Sequence, residues 1–452
     1  MKFPKNFLWG AAASAFQTEG AWRANGKGLS NWDLFCRIPG KIKGGDDGRI
    51  SIDHYHRYKS DIALMAKCGL QTYRLSISWP RVLPHGAGKP NPKGLAFYDR
   101  LIDTFLANGI RPFVNLHHWD MPEALDRKGG WRNRDVVQAF ADYAGLISDR
   151  LSDRVQDWIT FNEIKHIYEG CYQGGWNAPG LLLSPQVNNQ VLHNVHLAHG
   201  LAVQALRAHA RQKISAGLVH AFWLRLPLDE QNLRDVVAAE HCFRDKNALL
   251  FDPLYKGRYP DNAWKPGEEP EILNDDMRHI STPLDFFGLN CYSGFHVTAD
   301  DSPIGYREVM PAFGTPCNTL GWPILPNSMY WAIKHVWDNY PVKRLNISEN
   351  GYAGVDVVTH DGRVHDEDRI RYLSAHIREM QRAMQEGYSV DGYFVWSFFD
   401  NFEWCHGYSQ RLGLVYVDYP TQRRISKDSF DFYRDLIRTR HLPETAKKDR
   451  HV

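Results

Sequence analysis

Eight apolar, β-branched segments recur along the chain, separated by stretches of helical periodicity, and this alternation limits the fold more than any other feature. The strand-like segments lie at 7–17, 72–79, 112–119, 157–163, 214–220, 286–292, 345–349 and 392–396. Helix-like segments lie at 56–68, 95–108, 134–151, 187–210, 233–243, 329–340, 366–386 and 429–440. Several of these end at a Gly turn, as in Cys68-Gly69, Asn108-Gly109 and Glu386-Gly387, which suits a helix C-cap. Strand alternating with helix predicts a parallel sheet covered by helices. Eight such units predict an α/β fold of the closed kind, a single (β/α)8 TIM barrel.

The polar residues support a barrel over an open doubly wound sheet. Gln17, His118, Glu163, Tyr292, Glu349 and Trp396 fall at or just past the C-terminal ends of their strands, the face on which barrel enzymes carry their chemistry. Two of these ends resemble each other. Leu345-Asn346-Ile347-Ser348-Glu349-Asn350-Gly351 delivers a carboxylate where a Gly turn begins, and Asp157-Trp158-Ile159-Thr160-Phe161-Asn162-Glu163 finishes on Asn-Glu. One strand-end Glu is ordinarily a solvated loop residue, but two suggest paired carboxylate chemistry. No composition shift marks a linker, so one catalytic domain is expected over 1–452, with 443–452 a frayed tail. Length beyond the roughly 250 residues of a typical barrel is expected in long βα loops at 25–50, 170–185, 296–326 and 400–425, which would wall the pocket.

Charge and composition exclude several classes. The 54 Lys and Arg nearly balance 52 Asp and Glu, for a formal charge of +2 and no basic cluster, so no nucleic-acid surface is expected. No apolar run of about 18 residues suggests a membrane span, and the first ten residues lack the h-region of a signal peptide. Seven scattered cysteines without a Cys-x-x-Cys pair read as reduced thiols, which points to a cytoplasmic protein. No phosphate loop or dinucleotide fingerprint is present, and no cofactor is expected. His193, His196 and His199 share a broad helix face without a carboxylate or Cys partner. They read as helix-surface and packing residues, with no metal expected. Asn346-Ile347-Ser348 matches a glycosylation sequon but lies in a predicted buried strand. A homo-oligomer is compatible with the sequence and not specified by it.

Several motifs together carry a family resemblance. Thr160-Phe161-Asn162-Glu163, Ile347-Ser348-Glu349-Asn350-Gly351, Gln17-Thr18-Glu19-Gly20, Tyr73 to Arg81, His118-Trp119-Asp120 and Trp396 to Trp404 resemble the motifs of glycoside hydrolase family 1, the β-glucosidases, and run in family order from about residue 3 to residue 435. The resemblance implies a retaining mechanism on a (β/α)8 barrel, with two carboxyls about 5 to 5.5 Å apart. It implies Glu349 as nucleophile and Glu163 as general acid, then base. Glu349 is expected to be ionised beside Arg74 and the Tyr292 hydroxyl, with Asn290 as further electrostatic support, and Glu163 to hold a proton through burial and the nearby negative charge.

The same resemblance implies that Asn162 hydrogen-bonds the sugar 2-OH. Gln17, His118, Glu403 and Trp404 would bond the other ring hydroxyls, with Trp396 as aromatic platform and Trp322 at the aglycone entrance. A Glu403 carboxylate beside Ser409-Gln410-Arg411-Leu412 argues for an unphosphorylated sugar, because it would repel a phosphate. Ile164 stands where the family usually has Pro, Ser348 replaces Thr, and Leu412 replaces an aromatic. The implied activity is release of terminal β-D-glucosyl residues from small β-glycosides, in carbohydrate metabolism such as cellulose degradation, with some transfer to other acceptors and β-galactosidase or β-fucosidase side activity. The alternatives are a 6-phospho-β-glucosidase and a non-catalytic sugar-binding relative.

Overall fold

The computed structural model describes residues 2–443, so the expected frayed tail lies outside the described residues apart from Pro443. Eight parallel strands close into a barrel. They are β1 (Leu8–Ala12), β2 (Thr72–Ser76), β3 (Arg111–His117), β4 (Asp157–Asn162), β5 (Ser215–His220), β6 (Phe286–Asn290), β7 (Leu345–Asn350) and β8 (Gly392–Trp396). Each pairs with its neighbours in sequence, and β1 closes the ring on β8 through Leu8↔Gly392 to Ala12↔Trp396. The long helices outside are α1 (His54–Cys68), α2 (Pro92–Ala107), α3 (Asp135–Leu151), α4 (Pro185–Ala208), α5 (Leu233–Lys256), α6 (Ser328–Asn339), α7 (Glu367–Gln385) and α8 (Asp428–Thr439). α8 seals the seam: the Tyr433 hydroxyl donates to the Gly10 carbonyl at 2.7 Å.

Every barrel strand is buried on both faces, which is why each reads as an apolar run rather than an alternation. Inside the ring, Ala12, Phe113, Ile159, Val219, Phe286 and Phe394 fill the lumen beneath Trp396. Phe113 meets Phe394 and Phe286 edge to face, with centroids 5.2 and 5.9 Å apart. The interior is a packed plug, so chemistry is confined to the rim above it.

Three features differ from the sequence expectation. The first strand stops at Ala12 instead of running to residue 17, because Ser14 caps a short helix, Ala15–Thr18, by accepting from the Gln17 amide. α5 continues past residue 243 to Lys256, through Pro253, held by burial of Leu250, Phe251 and Leu254. Two of the expected long loops hold small sheets of their own, Arg225–Pro227 with Phe295–Ala299 and Tyr306–Val309, and the hairpin of Val415–Asp418 with Arg423–Ser426.

A buried charge network fixes the loops that follow β7 and β8. Lys427 Nζ lies 2.7 Å from Asp400 Oδ1 and also contacts Asp356, which Arg369 grips from the other side at 2.8 Å. Arg411 holds the second oxygen of Asp400 at 2.7 Å. The Lys427 and Asp400 side chains are fully buried, so each charge depends on its partners for solvation. Lys427→Met takes one of two cations from each of two buried carboxylates and is expected to lower stability by ~3 kcal/mol, read as a fall in the denaturant midpoint at unchanged slope.

Candidate active site

The sheet irregularities sit where the two glutamates emerge. The β4–β5 register shifts between Ile159 and Asn162, and β7 shifts against β6 between Ile347 and Glu349. Such bulges re-aim side chains at strand ends. Glu163 itself takes a left-handed backbone, φ 52°, as do Trp119 at 75° and Trp404 at 47°, and all three line one cavity. Left-handed backbone at residues other than Gly costs ~1–3 kcal/mol each and persists where the surroundings enforce it. Ile164, fully buried, anchors the chain just past Glu163 in place of the family's Pro. Gly351 is required after β7, since an added Cβ would lie 1.7 Å from the Trp396 carbonyl oxygen.

The cavity at the C-terminal mouth has a volume of about 380 Å³. Glu163 and Glu349 both line it and both are buried, 5% and 4% exposed. Arg74 lies behind the wall. One of its guanidinium nitrogens contacts Glu349 Oε1, and the other donates to Asn162 Oδ1 at 2.5 Å. Tyr292 OH donates to Glu349 Oε2 at 2.7 Å. Asn290 accepts from Ser348 Oγ at 2.8 Å, which turns its amide N–H toward Glu163 Oε1 at 2.7 Å and Asn162 Oδ1 at 3.2 Å. Asn162 in turn donates to His118 Nε2 at 3.0 Å. Ser348, the small change beside Glu349, therefore orients the amide that touches Glu163.

Of the expected sugar contacts, His118, Asn162, Tyr292, Trp396, Glu403, Trp404 and Trp322 line the cavity, as does Leu412. His118 lies nearly parallel to Trp396 with ring centroids 5.7 Å apart, and Trp322 packs on Tyr292 at 5.3 Å. Gln17 is placed differently. It is fully buried and outside the cavity wall, with its amide 2.9 Å from the Phe402 carbonyl and 3.4 Å from Glu403 Oε2. Gln17 thus braces Glu403, because the helix that replaces the end of the first strand turns its side chain inward.

An imidazole that sequence reasoning missed stands beside Glu163. Burial pushes the Glu163 carboxyl up, but His166, whose Nδ1 lies 3.1 Å from Glu163 Oε2, together with Asn290 and His118, outweighs it, and Glu163 is held below the usual carboxylate range. Burial and the charge of Glu163 push Glu349 above that range, against the pull of Arg74 and Tyr292. Sequence reasoning did not read His166 as a site residue. Its signal was a spacing of three after Glu163, one helical turn.

Other groups are set by burial. It pushes Tyr292 far up, so the phenol stays a donor, and pushes His118 far down, with Arg74 adding to the effect, so its imidazole stays neutral. Glu403 rises to about 8 through burial and the Glu349 charge. Arg411 is committed to Asp400.

Residues 1–442 match the profile of glycosyl hydrolase family 1. The chain belongs to this family. It is 43% identical to beta-glucosidase A of Thermotoga maritima over 98% of this chain and 99% of that one. It is equally identical to a 1,4-beta-D-glucan glucohydrolase of Thermotoga neapolitana, over 98% of this chain and all of the relative. A bifunctional beta-D-glucosidase/beta-D-fucosidase of Bifidobacterium breve is 40% identical over 97% and 98% of the two chains. The solved structure of the Thermotoga maritima beta-glucosidase in complex with glucoimidazole superposes with a TM-score of 0.90 at 43% identity, covering 98% of this chain and all of that one.

Among the described residues, no group of three His, Cys, Asp or Glu is arranged to hold a metal ion, and no helix is long and apolar enough to cross a membrane. His193, His196 and His199 lie on α4 but are fully buried rather than at its surface. His193 bonds Asp276 at 2.9 Å and His199 bonds Thr160 at 2.6 Å. Asn346 of the sequon is buried in β7. Since the Glu163 charge helps to raise Glu349, Glu163→Gln is expected to lower the Glu349 carboxyl pKa, and Arg74→Met to raise it. Carbon-13 NMR titration of labelled glutamate reads both shifts.

Proposed function

We propose that this chain is a retaining β-glucosidase acting as one catalytic barrel domain over 1–452. The observation that carries the reading is the pairing of two buried glutamates in one cavity, Glu349 against a fixed cation and a phenol, Glu163 against an amide and an imidazole. The names of the relatives, β-glucosidase and glucan glucohydrolase, favour terminal glucosyl residues of small β-glycosides, including those from cellulose. The match to a β-glucosidase/β-fucosidase favours fucosidase side activity. Seven free cysteines suit a cytoplasmic enzyme. Both glutamates being present argues against a non-catalytic sugar binder.

In this reading a Glu349 oxygen attacks the anomeric carbon as the bond from that carbon to the leaving oxygen breaks, and Glu163 delivers a proton to that oxygen. Arg74 and Tyr292 keep Glu349 fixed as its charge is spent in the new ester bond. Loss of that charge lowers the proton affinity of Glu163, which stays ionised after giving up its proton and takes one from the water that attacks the glycosyl ester. Asn162, held by Arg74 and His118, meets the 2-OH where a contact strengthens in the oxocarbenium-like transition state. Trp396 lies under the apolar face of the ring, and Glu403 meets its hydroxyls.

The test is hydrolysis of 4-nitrophenyl β-D-glucoside. Wild type is expected to turn over, and Glu349→Gly to lose about three or more orders of magnitude in kcat. Azide is expected to restore cleavage of an activated glucoside, with α-glucosyl azide as product. A β-glucosyl azide in that variant would mean that Glu349 does not occupy the nucleophile's face. Activity confined to 6-phosphoglucosides would move the reading to the phosphoglycosidase alternative.

A further inference from the structure

The cavity has two chemically different walls. Glu349 and Glu403 belong to the wall that meets the sugar. Beyond Glu163 the lining comes from the segments that follow β4, β5 and β6, and there the permanently charged side chains are Lys165 and Arg225. A general acid protonates the oxygen that departs, so the leaving group lies on the Glu163 side. The wall it meets is aromatic and cationic.

Lys165 is built into this wall. It is 8% exposed and stands two residues past Glu163, where the helix His166–Gln173 begins. Its ammonium sits 3.5 Å over the ring of Trp223, a cation–π contact. The Glu169 carboxylate is 4.0 Å from Nζ, beyond hydrogen-bond reach, and accepts instead from the Trp223 indole at 2.9 Å. Trp223 is locked in turn, because Asn247 of α5 accepts from its amide at 2.8 Å and donates to its carbonyl at 3.0 Å. Arg225, also buried, spends two nitrogens on Glu308 and the Leu224 carbonyl, and its Nε has no partner among the described residues. Burial pulls the Lys165 ammonium below its usual range, against the pull of Glu169 and Glu163. A cation that has lost water without gaining a hydrogen bond is stabilised by an incoming anion.

We infer that Lys165 determines leaving-group specificity, by binding a carboxylate carried on an aromatic leaving group. The inference rests on the β-glucosidase reading of the site. The carboxylate accepts from Lys165 Nζ in the field of Arg225, and its ring lies against the exposed indoles of Trp322 and Trp176 at the cavity mouth. A neutral hydroxyl in the same place would gain one hydrogen bond, whereas a carboxylate gains that bond and two positive charges. Glu349 opposes it little, because Arg74 covers that charge.

The β-D-glucosides of 3- and 4-(carboxymethyl)phenol are compared with those of the matching carboxamides. A methylene separates the carboxyl from the ring, so each acid and its amide are leaving groups of nearly equal reactivity that differ in charge. Wild type, Lys165→Met and Lys165→Gln are assayed as the full chain at neutral pH. Wild type is expected to favour at least one acid over its amide by about tenfold in kcat/KM, and both variants to bring that ratio to about one. A wild-type ratio near one for both pairs, or a preference that survives in the variants, overturns the inference and leaves the β-glucosidase reading standing. So does cleavage of 4-nitrophenyl β-D-glucoside with none of the four. The Gln variant decides if the Met variant fails to fold. If wild type cleaves neither the four glucosides nor 4-nitrophenyl β-D-glucoside, the β-glucosidase reading falls and this inference with it.

Discussion

One guanidinium holds the catalytic face together. Arg74 is 1% exposed, emerges from the second strand, and divides its two terminal nitrogens between Glu349 and Asn162, which come from opposite parts of the ring. A buried carboxylate without such a partner would take up a proton or drive the site open, because desolvating a lone charge costs several kcal/mol. Asn162 is tied through His118 and Asn290 to the third and sixth strands, and Tyr292 completes the ring around Glu349. The eight-strand closure is what allows groups so far apart in sequence to share one cation.

The strain in the site is concentrated in three residues. Glu163, Trp119 and Trp404 all adopt left-handed backbone, and each presents its side chain to the cavity. Their positions are enforced from below by the aromatic plug and from behind by packing such as that of Trp404 on Trp119 and Trp32, with centroids 4.6 and 4.5 Å away. Rigid surroundings of this kind let a fold hold carboxyls in a dry, pre-set arrangement instead of gathering them when substrate arrives.

The barrel was legible because each strand, buried on both faces, announces itself as an apolar run, and because its polar punctuation falls at one end. The two glutamates were legible for the same reason. What sequence could not supply was anything decided across elements. Gln17 reads as the end of a strand until Ser14 caps a helix there. The helix beyond residue 243 is hidden by Pro253, which packing overrides. His166 was passed over because its place beside Glu163 depends on a helical turn. Nor could sequence show the depth at which Glu403 sits beside Glu349, which raises its carboxyl pKa.

The ion cluster of Lys427, Asp356, Arg369, Asp400 and Arg411 joins the segments that carry the far wall of the pocket. Dissolved salt weakens attraction between charges by crowding counter-ions around them, and it acts over about 8 to 10 Å of water at ordinary ionic strength. Lys427 and Asp400 are fully buried, beyond the reach of those ions. The geometry of that wall is accordingly insulated from the salinity of its surroundings, whereas the surface pairs of Arg150 and Arg154 with Asp99 and Asp103 share their medium's ions and carry little of the structure.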